Sequence, residues 1–202
     1  MIMRMTSLDE ICGTHQGVYK MTTKILSKHI GVIAVGSGLI GASVYLLMIY
    51  VTLAHIEAVS GHIPFDMRPF GYGPTEAATL LEALGVEGRA YYLSRQIALD
   101  TFYPAMLALA LVATICWFGQ HMPNRNLVRF GIALSVGAAV FDYAENLGIV
   151  AMIWSWPEVS VPLVYATSTA TILKSALTTL AVLLTLLVGF QWTRLSKADV
   201  CP

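Results

Sequence analysis

The stretch Leu127–Trp154 reads LVRFGIALSVGAAVFDYAENLGIVAMIW. It is long and apolar enough to span the ~30 Å of hydrocarbon in a bilayer as a helix rising ~1.5 Å per residue. Asp142, Glu145 and Asn146 nevertheless sit well inside it. Charge at that depth is costly, so the surrounding fold must supply a partner for it.

Working outward, three further runs have the same character: about 30–54, 97–118 and 162–190. The chain is 56% hydrophobic and only 12% charged, about half the charge of an average soluble domain. Backbone groups in lipid must be satisfied within a segment or in a closed barrel. Runs this long and this apolar therefore indicate helices, and the alternating pattern of barrel strands is missing. The sequence predicts an all-α membrane protein, a four-transmembrane-helix bundle forming one integral membrane domain over 1–202. The first run is too long for a signal-peptide core and follows about thirty residues of tail, so it is expected to be retained.

The segment 55–96 is expected to be the one long external connection, between helices 1 and 2. Its PFDMRPFGYGP part is broken by Pro and Gly, whereas Ala77, Leu80, Leu81 and Leu84 recur at helical spacing before Gly85. That spacing predicts a short amphipathic helix over 75–84, lying on the membrane surface or capping the bundle.

Basic residues set the expected orientation. Arg4, Lys20, Lys24, Lys28, Arg125, Arg129, Arg194 and Lys197 fall on one side, and Arg68, Arg89 and Arg95 on the other. By the positive-inside rule both N- and C-termini are cytoplasmic, in the cell's inner or plasma membrane. Trp117 and Trp192 at inner ends, and Tyr91, Tyr92, Trp154 and Trp156 at outer ones, match interfacial belts.

The buried polar residues converge by depth. Counting from Trp154 and from Pro162, Asp142 and Lys174 both lie ~18 Å below the outer interface, with Glu145 at ~13–14 Å and Asp100 at ~9–14 Å. An ion pair between Asp142 and Lys174 is expected. Pro104 removes the donor for the carbonyl of residue 100, so a kink and a freed backbone oxygen are expected beside that acid. Gln96, Asp100 and Tyr103 share a face, as do Asp142, Glu145 and Asn146, while Thr171 and neighbouring hydroxyls surround Lys174. Three carboxylates against one lysine leave a surplus acid, which must hold a proton, share one, or bind a cation.

These residues are read as a polar chamber in the outer half of the bundle. Asp100 and Glu145 are the candidate catalytic, proton-exchanging groups. Tyr103, Asp142, Asn146, Lys174, Gln96, Thr171 and His55 are the candidate binding residues, His55 reaching the mouth from the end of the first helix. The leading expectation is a protein that binds or converts a small amphipathic or lipid-like molecule. Two alternatives stand beside it: a proton-coupled small-molecule transporter, and a non-catalytic membrane assembly subunit whose charges fix helix packing.

Other chemistries find less support. Cys12, Cys116 and Cys201 show no paired or metal-ligand spacing, and motifs for serine hydrolases, zinc proteases and P-loop nucleotide binding are missing. No metal site is predicted; carboxylate-bound Mg²⁺ or Mn²⁺ has only weak support, and the sequence identifies no cofactor. The neutral net charge argues against a nucleic-acid partner. The bilayer is the expected partner, joined by a small amphipathic ligand. Ala34, Gly38 and Ala42 form a small-residue strip for close packing, within the bundle or between two protomers of a homodimer.

Overall fold

The structure, a computed structural model, describes residues 29–120 and 125–198. Among the described residues it contains helices and turns with no strand. Four helices are long and apolar enough to cross a membrane: α1 (His29–Ser60), α2 (Pro74–Gly119), α3 (Arg125–Trp154) and α4, which is apolar over Val161–Thr193 and helical to Ala198. The N-terminal basic residues Arg4, Lys20, Lys24 and Lys28, together with Cys12, Cys201, His121 and the side chains of Arg194 and Lys197, lie outside the described residues.

Helix extends further into the α1–α2 connection than hydropathy alone suggests. α1 continues to Ser60 and is stopped by Gly61, whose φ of 68° places it in the left-handed conformation that glycine adopts most readily. Helix resumes at Pro74, with its fixed φ suited to a first helical position and the Glu76 carboxylate accepting from Gly73 N at 2.7 Å. Only 61–73 is irregular, apart from a single 3-10 turn over Phe65–Met67.

Within α2 the chain leaves helical geometry at Gly85 (φ 60°, ψ −171°), a conformation effectively reserved for glycine. The break separates an N-terminal piece, whose Ala77, Leu80, Leu81 and Leu84 are buried, from the long apolar piece. Arg89 spans the break by donating to Leu81 O at 2.6 Å, taking up a carbonyl at the interrupted helix end.

Two apolar cores bracket the centre of the bundle. One, at the end near the α1–α2 connection, gathers Leu53, Ile56, Phe65, Leu80, Leu81, Tyr92, Ile149, Met152 and Val164. The other, towards the α2–α3 connection, gathers Ile115, Leu134, Ala181, Leu184 and Val188. Along α2, α3 and α4 the polar residues occupy the stretch between these cores.

The packing face of α1 is rotated from the expected strip. Ala34 is buried, but Ala42 is exposed. Gly41 makes the close approach instead: a Cβ there would stand 3.5 Å from Met106 Cβ. The Gly31–Ala34–Ser37–Gly41 edge is the buried one, which seats α1 against α2.

Candidate functional site

The centre of the cluster is Lys174 on α4. Its Nζ lies 3.1 Å from Asp142 Oδ1 and also pairs with Glu145 Oε2, both on α3. Glu145 Oε1 accepts from Thr171 Oγ1 at 2.8 Å. Asp142 and Glu145 are three residues apart, so they share a helix face; Thr171 and Lys174 have the same spacing on α4. The two faces meet because Gly148 lets the helices close: a Cβ at that position would overlap the Thr167 side chain.

α2 contributes an acid of a different kind. Asp100 is only 1% exposed, and its Oδ2 has no hydrogen-bond partner. Its backbone oxygen, four residues before Pro104, accepts from Asn146 Nδ2 at 3.0 Å. Pro104 has no N–H to donate to that carbonyl, and Asn146 replaces the lost helical bond. The next carbonyl, that of Thr101, accepts from Tyr143 Oη at 2.8 Å. The D-Y-A-E-N segment thus serves two neighbours: Asp142 and Glu145 face Lys174, while Tyr143 and Asn146 face the carbonyls preceding Pro104.

The irregular connection supplies a fourth carboxylate that the sequence reading did not place here. Asp66, on the 3-10 turn, accepts from Tyr92 Oη through Oδ2 and from Gln96 Nε2 at 3.4 Å through Oδ1. Fully buried Phe65 packs against the rings of Tyr72 and Tyr92 at centroid distances of 4.8 and 6.1 Å, so the turn is fixed to the bundle beside the acid. Ser168 Oγ accepts from Tyr72 N at 2.8 Å, and Gly71, at φ 84°, passes too close to Ser168 for a Cβ. Burial pushes the Tyr72 hydroxyl well above the ordinary tyrosine range, which keeps it neutral. The available sequence signal was an acid set between Phe65 and Met67, on an apolar part of a loop.

Gln96 also joins two irregular helical turns. α1 is π-wound over Met48–Leu53 and α2 over Tyr92–Gln96; Thr52 Oγ1 donates to Gln96 Oε1 at 2.5 Å. Each π-turn accommodates an extra residue and redirects the side chains beyond it. Here the two turns are opposed and locked by one buried hydrogen bond.

A cavity of about 320 Å³ lies between these groups, lined by Tyr45, Met48, Ile49, Leu53, Asp66, Met67, Pro69, Asp100, Tyr103 and Lys174. Tyr45 and Tyr103, both in its lining, stack on each other with ring centroids 5.5 Å apart. Its rim, at Tyr45, Met67 and Pro69, is exposed. Its lining thus combines three charged or ionisable side chains, Asp66, Asp100 and Lys174, with aromatic and aliphatic ones.

Of the residues expected at the site, Asp100, Tyr103 and Lys174 line this cavity, with Asp142, Glu145, Asn146, Gln96 and Thr171 bonded around it. His55 is placed apart: it is exposed, with its ring 4.2 Å from that of Tyr91. Arg68 and Arg89, in and after the α1–α2 connection, are engaged locally. Arg68 donates to Ile63 O and pairs with Glu76 at 3.4 Å, and Arg89 lies over the Trp156 ring. Among the described residues, no group of three or more His, Cys, Asp and Glu side chains is arranged to hold a metal ion. Compared with family models, with characterised proteins and with solved structures, the chain matches none.

Proposed function

We propose that this chain is an integral protein of the cell's inner or plasma membrane, crossing it four times with both termini cytoplasmic, and that its chamber binds or converts a small amphipathic or lipid-like molecule. Embedding is supported by where the apolar surface lies: between 11% and 28% of each helix's most apolar window is buried inside the molecule. The remainder faces outward and requires a hydrocarbon environment. In this reading the 74–84 helix lies over the outer end, with its leucines turned to the bundle and Glu76 and Glu82 exposed.

The observation that carries the functional reading is the cavity with its mixed polar and apolar lining. A volume of about 320 Å³ falls at the lower end of the ~300–1,000 Å³ of small-molecule sites, which pair apolar walls with a few fixed polar groups. Asp100 is the carboxyl that faces this space with an oxygen free to exchange a proton. Glu145, held through both oxygens by Lys174 and Thr171, backs it by fixing the lysine.

Proton-coupled transport is the second reading, favoured by the ratio of Asp66, Asp100, Asp142 and Glu145 to the single Lys174, since surplus intramembrane acids are characteristic of proton relays. The test is photolabelling in lipid nanodiscs with a diazirine-bearing amphiphile. Adducts should map to Met48 and Tyr103 and disappear when Leu53→Trp fills the cavity. Adducts restricted to outward residues such as Leu39 and Leu186 would make the charges packing elements of an assembly subunit.

A further inference from the structure

The charges around the chamber are unequal in a way that specifies its ligand. Lys174 is used by Asp142 and Glu145 together, which leaves that trio one negative charge in excess when all three are ionised. Asp66 and Asp100 line the same cavity, with no second cation among its lining residues. Asp66 is supplied with two donors, Tyr92 Oη and Gln96 Nε2. Asp100 Oδ2 is supplied with none, although the residue is 1% exposed and borders the open space. A buried acceptor without a donor costs free energy unless something arriving in the cavity provides one.

We infer that the chamber takes a positively charged head group, an amine-bearing amphiphile whose ammonium sits between Asp66 and Asp100 and whose apolar part lies along Met48, Ile49 and the stacked Tyr45 and Tyr103. The inference rests on the chamber reading above and specifies its ligand class. An ammonium brings several N–H donors to the two carboxylates. Aromatic faces beside it add cation–π attraction. A bare metal ion would leave the apolar lining unfilled, and the described acids lack a metal-binding arrangement. An anionic head would add charge to an already negative cavity. The exposed rim at Tyr45, Met67 and Pro69 provides an opening that leads out along α1, whose flank carries exposed apolar residues such as Leu46 and Tyr50, so a molecule dissolved in the bilayer enters with its tail trailing.

The experiment compares three alkyl-diazirine probes of equal chain length bearing an ammonium, a hydroxyl or a carboxylate, applied to the full chain in nanodiscs. Labelling at Met48 and Tyr103 is normalised to labelling of the outward face, which corrects for partition into lipid. The ammonium probe is expected to label the chamber at least about tenfold more than the carboxylate probe, the ratio one ~1.4 kcal/mol interaction gives. Asp100→Asn and, separately, Asp66→Asn should reduce that preference several-fold; the variants address the two acids independently, so misfolding of one leaves the other as the test. Equal chamber labelling by all three heads overturns the charge inference and leaves the chamber reading intact. No chamber labelling by any probe overturns both.

Discussion

Asn146 Nδ2 donates to the backbone oxygen of Asp100 at 3.0 Å, and Asp100 is the residue four positions before Pro104. A side chain from α3 therefore makes the hydrogen bond that proline denies α2. This relationship explains why an amide belongs at 146: it offers two donors, and a buried carbonyl left open costs ~1–3 kcal/mol. Asn146→Leu should lower stability by about that amount. In a Pro104→Ala background the helix can make its own bond, so the same substitution should cost less. Thermal unfolding of the four proteins in one detergent measures the coupling, and strictly additive effects would show that Asn146 does not serve that carbonyl.

Lys174 bridges two acids rather than one, which determines how the network fails. Lys174→Met leaves Asp142 and Glu145 buried together without a cation, a change expected to cost ~3–5 kcal/mol. Adding Asp142→Asn alone should recover little, because Glu145, fully buried, is still unmatched. Only Lys174→Met with both Asp142→Asn and Glu145→Gln should return most of the loss. Full recovery in the double variant would assign the lysine to Asp142 alone.

Residue depth was legible in the sequence because α3 and α4 keep regular helical rise through the charged zone, so counting residues from the helix ends brought Asp142 and Lys174 to one level. The freed Asp100 oxygen was legible for a similarly local reason, the chemistry of Pro104. Its acceptance from Asn146 was not, since helical spacing orients a face without naming the neighbour it meets. Asp66 escaped because a Pro- and Gly-rich connection has no periodicity, and its path depends on where Phe65 finds a pocket. His55 lies just beyond the π-turn at Met48–Leu53. One extra residue there turns everything that follows by about 100° relative to a regular helix, and a position at the end of the apolar run does not say which way the ring then points.

The α3–α4 contact depends on a glycine. A methyl group at Gly148 would run into Thr167, whereas one at Gly137 would meet Leu177 Cδ1 at 3.4 Å, an ordinary contact. Gly148→Ala should therefore destabilise by ~1–3 kcal/mol and loosen the Lys174 bridges. Gly137→Ala should be neutral or slightly stabilising. Comparable melting temperatures for both variants would show that the helices have room to separate at Thr167 without loss.

Sidedness has its own test. Eight basic residues, Arg4, Lys20, Lys24, Lys28, Arg125, Arg129, Arg194 and Lys197, fall on the side proposed as cytoplasmic, against Arg68, Arg89 and Arg95 on the other. Reporter fusions at either terminus should read cytoplasm. An external C-terminus would invert the chamber, placing its rim in the inner half of the membrane.

The two acids first considered for proton exchange should separate when each is made neutral. Glu145→Gln removes one of the two anions holding Lys174 and replaces an oxygen that accepts from Thr171, so it should lower stability by ~1–3 kcal/mol. Asp100→Asn keeps the side chain's shape, replaces an acid that has no counter-ion of its own, and leaves the backbone bond to Asn146 in place. Its melting temperature should match or exceed that of the unmodified protein. Chamber labelling by an ammonium probe should show the reverse order, falling sharply in Asp100→Asn and much less in Glu145→Gln at a temperature where both remain folded. A structural acid loses stability when neutralised, whereas a ligand-facing acid loses binding. If Asp100→Asn instead unfolds the protein as readily as Glu145→Gln does and leaves labelling of the folded fraction unchanged, Asp100 belongs to the scaffold and the chamber recognises its ligand by other groups.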